Sequence, residues 1–245
     1  MQKRKDKKRL DIIIFERGLS ETRTKAQSFV MGGNVFVDGQ VQYKSGTLVD
    51  ESALIEIKNI NSYVSRGGLK LESALNALKI SVKGYICLDI GASTGGFTDC
   101  MLQKGASKVY AVDVGFGQLH YKLRNDIRVI NIENVNFRYF DVLTLRDKID
   151  FATIDVSFIS LDKILPMSYK SVKENGFVLA MIKPQFELSY KEIKKGVVRD
   201  ESLRQKAIAK IKKVALDLGF NIISGVDSGL KGSKGNLEHF VLLQK

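Results

Sequence analysis

The stretch LDIGASTGGFTDC, Leu88–Cys100, constrains the chain more than any other. An apolar run with strand character enters a glycine-rich turn, and a helical segment follows. Glycines there mean that the backbone bends tightly or is closely approached. Downstream, short apolar runs alternate with helical segments, predicting strands near 85–90, 108–113, 127–132, 150–155, 177–182, 220–226 and 238–244. Such alternation specifies an α/β fold with a mostly parallel, doubly wound sheet. The last two runs are joined by GVDSGLKGSKGN, which suits a loop better than a crossover helix, so the seventh strand is expected to be antiparallel.

In an open parallel sheet, ligands sit beyond the carboxyl ends of the strands, so Asp89, Gly91, Asp113 and Asp155 are expected on one crevice. Asp113 ends the second strand, where a carboxylate can accept from both ribose hydroxyls of an adenosine. The first loop separates the possible ligands. A dinucleotide brings an anionic pyrophosphate to the glycines, and Asp89 would repel it. S-adenosylmethionine instead carries a cationic ammonium and sulfonium and no phosphate. The loop also reads GASTGG rather than GxGxxG. S-adenosylmethionine is therefore the expected cofactor.

The amino-terminal part follows other periods. LDIIIFERGLSETRTKAQSFV, residues 10–30, contains two short helical patterns, with Gly18 placed to stop the first and Ser20 to cap the second. NVFVDGQV then alternates around Asp38-Gly39, a hairpin signal, and residues 53–57 make another strand. The unit resembles the RNA-binding domain named after ribosomal small-subunit protein four, through RLD at 9–11, GLSETRTKAQSFVMGG at 18–33 and VFVDGQ at 35–40. That resemblance would turn Arg17, Arg23 and Lys25 toward a phosphate backbone; ordinary solvated helix charges are the plainer reading. The basic head MQKRKDKKR either adds phosphate contacts or frays. The domains are expected at 1–60 for RNA binding, 61–66 as linker and 67–245 for catalysis. In the last, Leu71, Ala74, Leu75 and Leu78 give the first helix its apolar face.

Over essentially its whole length the chain is similar to the TlyA group, often labelled hemolysin A, which joins that RNA-binding domain to a methyltransferase resembling the FtsJ ribosomal RNA 2′-O-methyltransferases. The motifs are YVSRGGLKLESAL, CLDIGASTGGFTDC, AVDVGFGQL, IDVSFISL, IKPQFE and KGNLEHF. The resemblance implies a seven-stranded Rossmann-like class I methyltransferase fold and a cofactor site drawn from Asp89, Gly91, Ser93, Gly95, Gly96, Phe97, Asp113, Asn136 and Asp155. Within that set, Gly95, Gly96 and Phe97 would lie at the methionine end and Asn136 near the adenine, where FtsJ-like chains often have aspartate. It also implies a catalytic tetrad: Lys70, Asp155, Lys183 and Glu238.

Each member of that tetrad has a duller explanation: Lys70 as a solvent-facing helix lysine, Glu238 as the start of an exposed strand. Lys183 resists one, because it follows the apolar run GFVLAMI, where a cation is costly without a partner or a job. Methylating a ribose hydroxyl demands in-line attack by a poor nucleophile, so positioning and management of one proton are the protein's task. Lys183 is assigned nearest the 2′-hydroxyl, Asp155 orients it, and Lys70 with Glu238 fixes the ribose or its phosphate. Whether Lys183 works as a base or as an ammonium stays open, since burial and Lys70 favour the first and the two acids the second.

A net charge of +12 agrees with a polyanionic partner, as it does with a lysine-rich proteome. Lys231 and Lys234 border the expected site and either hold RNA phosphate or merely solubilise a loop. The basic helix ESLRQKAIAKIKKVALDLG is explained equally by an RNA surface and by a sheet cover. The expected substrate is ribosomal RNA, with cytidine favoured by resemblance, within a ribosomal subunit; no obligate protein partner is inferred. Cys87 and Cys100 read as reduced structural thiols, the two histidines as structural, and no metal site is expected. No apolar run approaches the roughly 18 residues of a membrane span, so a cytoplasmic enzyme is expected. The competing classes are a noncatalytic RNA-binding or assembly factor and a membrane-lytic hemolysin.

Overall fold

The computed structural model describes residues 7–57, 63–193, 196–232 and 235–245. The chain forms two compact units, Met1–Arg66 and Gly67–Lys245. The first six residues of the basic head, Asn59–Ser62 and Lys234 lie outside the described residues.

In the first unit, β1 (Lys7–Arg9) leads into α1 (Leu10–Glu16), and α2 (Arg23–Met31) follows. Leu10, Ile13 and Ile14 of α1 and Ala26 and Val30 of α2 are buried in one small core. Gly18, at φ +68, lies just beyond α1 as expected. The cap of α2 is a correction: Thr22, not Ser20, accepts from the amide of Lys25 at 3.1 Å. Strands β2 (Val35–Val37) and β3 (Gln40–Gln42) form the hairpin, with Asp38 and Gly39 both at positive φ. After β4 (Leu48–Asp50), β5 (Ile55–Ile57) pairs with the other side of β2. The antiparallel β1–β4 pair has no counterpart among the expected strands.

The second unit opens with α3 (Arg66–Ala77), which buries Leu71, Ala74 and Leu75. The sheet is built from β6 (Ile86–Ile90), β7 (Lys108–Val112), β8 (Val129–Ile132), β9 (Ile149–Ile154), β10 (Val172–Ile182), β11 (Asn221–Asp227) and β12 (His239–Gln244). Helices α4 (Gly96–Gln103), α5 (Tyr121–Arg124), α6 (Leu165–Ser171), α7 (Pro184–Glu187) and α8 (Glu201–Asp217) intervene. The strand order is β11-β12-β10-β9-β6-β7-β8. Six strands point the same way, and the last in sequence, β12, inserts antiparallel to both β10 and β11. Chain progress reverses between β6 and β9, and at such a switch point the flanking loops part and leave a crevice. Ile90 and Ile154 face one another there, so Gly91 and Asp155 leave the sheet side by side.

Candidate active site

Two cavities lie along this edge of the sheet. The first, about 480 Å³, is walled by Ile90, Val112, Val135, Phe137 and Ile159 among apolar residues and by Ser93, Asp113, Gln118, Asn136 and Asp155 among polar ones. The second, about 520 Å³, has Lys183, Gln185, Phe186, Tyr190, Asn236 and Glu238 on its wall. Ser157 and Phe158 belong to both.

The glycine turn shapes the first cavity through its backbone. Gly91 has φ +85, and a Cβ there would lie 2.7 Å from the carbonyl oxygen of Asp155. Gly95 has φ +93, and a Cβ would strike Leu119 and Leu123. Both conditions demand glycine. The loop is strapped to the end of β7: the Gly91 and Ala92 amides donate to the Val112 carbonyl, and the Ser93 amide donates to Asp113 Oδ2 at 2.7 Å. Asp113 Oδ1 accepts from the Gly115 amide at 2.7 Å. Asn136 uses its side-chain oxygen to accept from the Arg138 amide at 3.1 Å.

Asp89 departs from expectation. It is fully buried within β6, off the cavity wall, and accepts from Thr98 Oγ1 at 2.7 Å and Thr153 Oγ1 at 3.1 Å. Burial pushes its carboxyl up to about 6, against the pull of the two threonines, with nearby Asp155 adding to the rise. Asp89 is two residues before Gly91, and its side chain alternates away from that of Ile90, which lines the cavity, so its charge cannot screen ligands by contact. Gly95, Gly96 and Phe97 are likewise not on the wall; they form the start of α4, and Phe97 packs on Phe240 with ring centroids 6.2 Å apart. Of the expected set, Gly91, Ser93, Asp113, Asn136 and Asp155 do line the cavity.

The four expected catalytic side chains form two ion pairs. Lys183 Nζ stands 2.5 Å from Asp155 Oδ1 and donates to Ser157 Oγ at 2.9 Å. The Asp155 contact is ionic, its angle outside that of a hydrogen bond. Lys70 Nζ donates to Glu238 Oε2 at 2.5 Å. Glu238 is only 3% exposed, and neither it nor Lys70 is the solvent-facing residue of the duller explanation. Asp155 faces the first cavity and Lys183 the second, so their pair sits on the boundary between the two. Lys70 is on neither wall and reaches the site through Glu238.

Sequence reasoning missed several parts. Ser157, which takes a hydrogen bond from Lys183, was visible only as the serine of IDVS. Phe158 sits at φ +64, uncommon for an aromatic residue, and is 89% exposed where the cavities meet. Glu187 is buried and accepts from the Leu161 amide at 2.8 Å and from the Ser160 hydroxyl, while Lys210 of α8 lies 3.3 Å away. This carboxylate ties the segment after Lys183 to the loop after Asp155. Its one sequence signal is an acid at the end of IKPQFE.

Two of the residues expected to face RNA are also engaged within the protein. Arg17 donates to the carbonyls of Ala53, at 2.8 Å, and Glu51. Arg23 donates to the wholly buried Asp11 at 3.1 Å, beside Arg9 and Gln27. Both arginines therefore hold the first unit together, because a buried carboxylate requires cationic or polar partners. Lys25 is exposed and paired with Glu21 at 3.0 Å. Lys231 is exposed beside Gly232 of the second cavity. In α8, Lys206, Lys210 and Lys213 pair with Glu192, Glu187 and Asp217, while Ala207, Ile208, Ile211 and Ala215 are buried, which is the pattern of a sheet cover. Both cysteines are buried thiols, and burial pushes Cys87 up. His239 meets Asp227 at 2.7 Å, and His120 caps α5.

A sheet of this order, with an acid-lined crevice at its switch point and a lysine–aspartate pair beside it, defines a Rossmann-like methyltransferase, here joined to a small α+β module. Among the described residues no helix is long and apolar enough to cross a membrane. The chain belongs to the FtsJ-like methyltransferase family, whose model matches residues 63–245, and carries an S4 domain over residues 8–55. It is 45% identical over 240 residues to hemolysin A of Brachyspira hyodysenteriae, covering 96% of this chain and 100% of that protein. The 16S/23S rRNA (cytidine-2′-O)-methyltransferase TlyA of Mycobacterium tuberculosis is 37% identical over 239 residues, covering 96% of this chain and 89% of the relative. A solved structure described as a hemolysin from Streptococcus thermophilus matches with a TM-score of 0.77 at 44% identity, covering 99% of this chain and 90% of that one.

Proposed function

We propose that the protein binds S-adenosylmethionine in the first cavity and methylates the 2′-hydroxyl of a cytidine in ribosomal RNA, within a ribosomal subunit, with the S4 domain engaging the RNA. The observation that carries this reading is the Lys183–Asp155 pair on the boundary of two cavities. The relatives named as rRNA (cytidine-2′-O)-methyltransferases support the reaction and the substrate.

The first cavity fits the cofactor by its donor set. Its wall carries Asp113 and Asp155 and, among the described residues, no lysine or arginine, so a pyrophosphate would find no countercharge while a sulfonium and an ammonium would. This argument replaces the one from Asp89. When bound, the cofactor supplies an electrophilic methyl group on a positively charged sulfur. Asp113 would hold the ribose hydroxyls, Asn136 the adenine end, and the Gly91–Ser93 backbone the methionine end.

On the RNA side, Lys183 works as the cation of its ion pair. Held by Asp155 and Ser157, it would point N–H donors at the sugar oxygen and stabilise the negative charge that develops as the hydroxyl proton passes to solvent at the open cavity mouth. Glu238 anchors the sugar from the opposite wall, and Lys70 positions Glu238.

The test uses purified protein, radiolabelled S-adenosylmethionine and unmethylated ribosomal subunits, followed by digestion to nucleosides. Label in 2′-O-methylcytidine is expected. Lys183→Ala should remove at least about 100-fold of the rate, the scale of one positioned donor to a developing oxyanion, with cofactor affinity preserved. Retained activity would take Lys183 out of the mechanism. Binding of the subunits with no methyl transfer by the wild type would identify a noncatalytic assembly factor instead.

A further inference from the structure

The second cavity holds a polar group that this mechanism does not use. Gln185 lies two residues beyond Lys183 in α7 and lines the same cavity. Its Oε1 is shielded from water and accepts no hydrogen bond. Its polar neighbours on that wall are engaged within the protein. Asn236 accepts from the Val198 amide at 2.8 Å and donates to the Gly196 carbonyl at 3.0 Å, Lys183 is held by Asp155 and Ser157, and Glu238 binds Lys70. A buried acceptor without a donor is a standing cost, and folded proteins keep such a group where a ligand relieves it. Phe158, Phe186 and Tyr190 add aromatic surface to the cavity, a lining suited to a base.

We propose that the Gln185 carboxamide reads the base of the nucleotide whose ribose is methylated, accepting from the exocyclic amino group of cytosine. The proposal rests on the function argued above and names the selectivity element of that same site. In cytosine an amino donor adjoins the ring N3 acceptor on the pairing edge, the complement of an amide oxygen and amide N–H. Uracil presents a carbonyl where cytosine has its amino group, so it would pair only after the amide turned over and left Nε2 in the shielded position that Oε1 occupies. A site built around an unpaired polar group discriminates strongly against the ligand that fails to pair it.

The experiment uses the full chain, ribosomal subunits and S-adenosylmethionine. Subunits carry cytidine at the position that the wild-type protein methylates, or uridine put there by site-directed substitution in the rRNA gene. Gln185→Met keeps side-chain length and removes the amide; Gln185→Leu is the second variant. Wild type should favour cytidine over uridine by roughly 5- to 150-fold, the span of a good base contact. Both variants should lose that ratio toward unity, mainly through a slower cytidine reaction, with cofactor affinity unchanged. A merely structural glutamine would slow both substrates alike, so an unchanged cytidine-to-uridine ratio in the variants overturns the proposal. So does a wild type that methylates both equally. Failure of the wild type to methylate any ribose would instead bring down the underlying function, a result visible before any variant is made.

Discussion

Asp89→Asn tests the electrostatics beneath the cofactor loop. The carboxyl is fully buried, and desolvation pushes it up to about 6 from the ordinary carboxylate range. Between these limits the folded state holds a proton that the unfolded state has released, so stability falls as pH rises. The whole difference, roughly two pH units, is worth about 3 kcal/mol at high pH. Roughly 1 kcal/mol of this is lost between pH 5 and pH 7. Asparagine has nearly the same shape, and the Thr98 or Thr153 hydroxyl can turn to accept from its amide. The variant should therefore lack this slope. The chain has no tryptophan, so urea unfolding is followed by circular dichroism at both pH values. With a typical urea dependence, the gap between variant and wild-type midpoints should widen by roughly 0.5 M from pH 5 to pH 7, in favour of the variant. Comparing differences cancels His239, whose imidazole is pulled down by burial. Midpoints that move in parallel would refute a raised Asp89. Saturating S-adenosylmethionine should flatten the wild-type slope, because a neighbouring cation favours the ionised carboxylate.

Asp113→Ala removes the acceptor for the Ser93 and Gly115 amides as well as the expected ribose contact, so calorimetry should show S-adenosylmethionine affinity falling by about 10- to 150-fold. An affinity within twofold of wild type would place the ribose elsewhere. Gly91→Ala should cost about 2 kcal/mol or more, since it combines a left-handed backbone with a Cβ 2.7 Å from the Asp155 carbonyl; unchanged thermal stability would contradict the close approach. In the first unit Arg9, Gln27 and Arg23 hold the Asp11 carboxyl well below the usual range despite burial. That stability is present above pH 4 and lost as pH falls toward the depressed value, the opposite sign to Asp89. Asp11→Ala should therefore weaken S4-domain amide protection at pH 7 and leave it nearly insensitive to acid, as read by hydrogen exchange.

The two aspartates show how far local pattern reaches. Both read as acids next to apolar residues, and both are expected on the cofactor crevice. Only the packed structure reveals that Asp89 points into the sheet between two threonines while Asp113 points out beneath Ser93. Arg17 and Arg23 make the same point from the surface. A basic helix face looks ready for phosphate until the carbonyls of Glu51 and Ala53 and the buried Asp11 are found to engage those guanidiniums.

What the linear chain determined by itself was everything carried by period and punctuation. It determined seven strands with their order of appearance, the hairpin at Asp38-Gly39, the bend at Gly91 and the lysines and acids at strand ends. These depend on backbone geometry within a few residues, which side-chain pattern records directly. Which acid meets which lysine was decided only by the fold. Lys70 and Glu238 are 168 positions apart and pair because α3 and the start of β12 converge. Lys183 meets Asp155 because β9 and β10 are parallel neighbours. The orphaned amide of Gln185 was equally invisible, since a missing partner is a property of surroundings in three dimensions and leaves no trace in the order of residues.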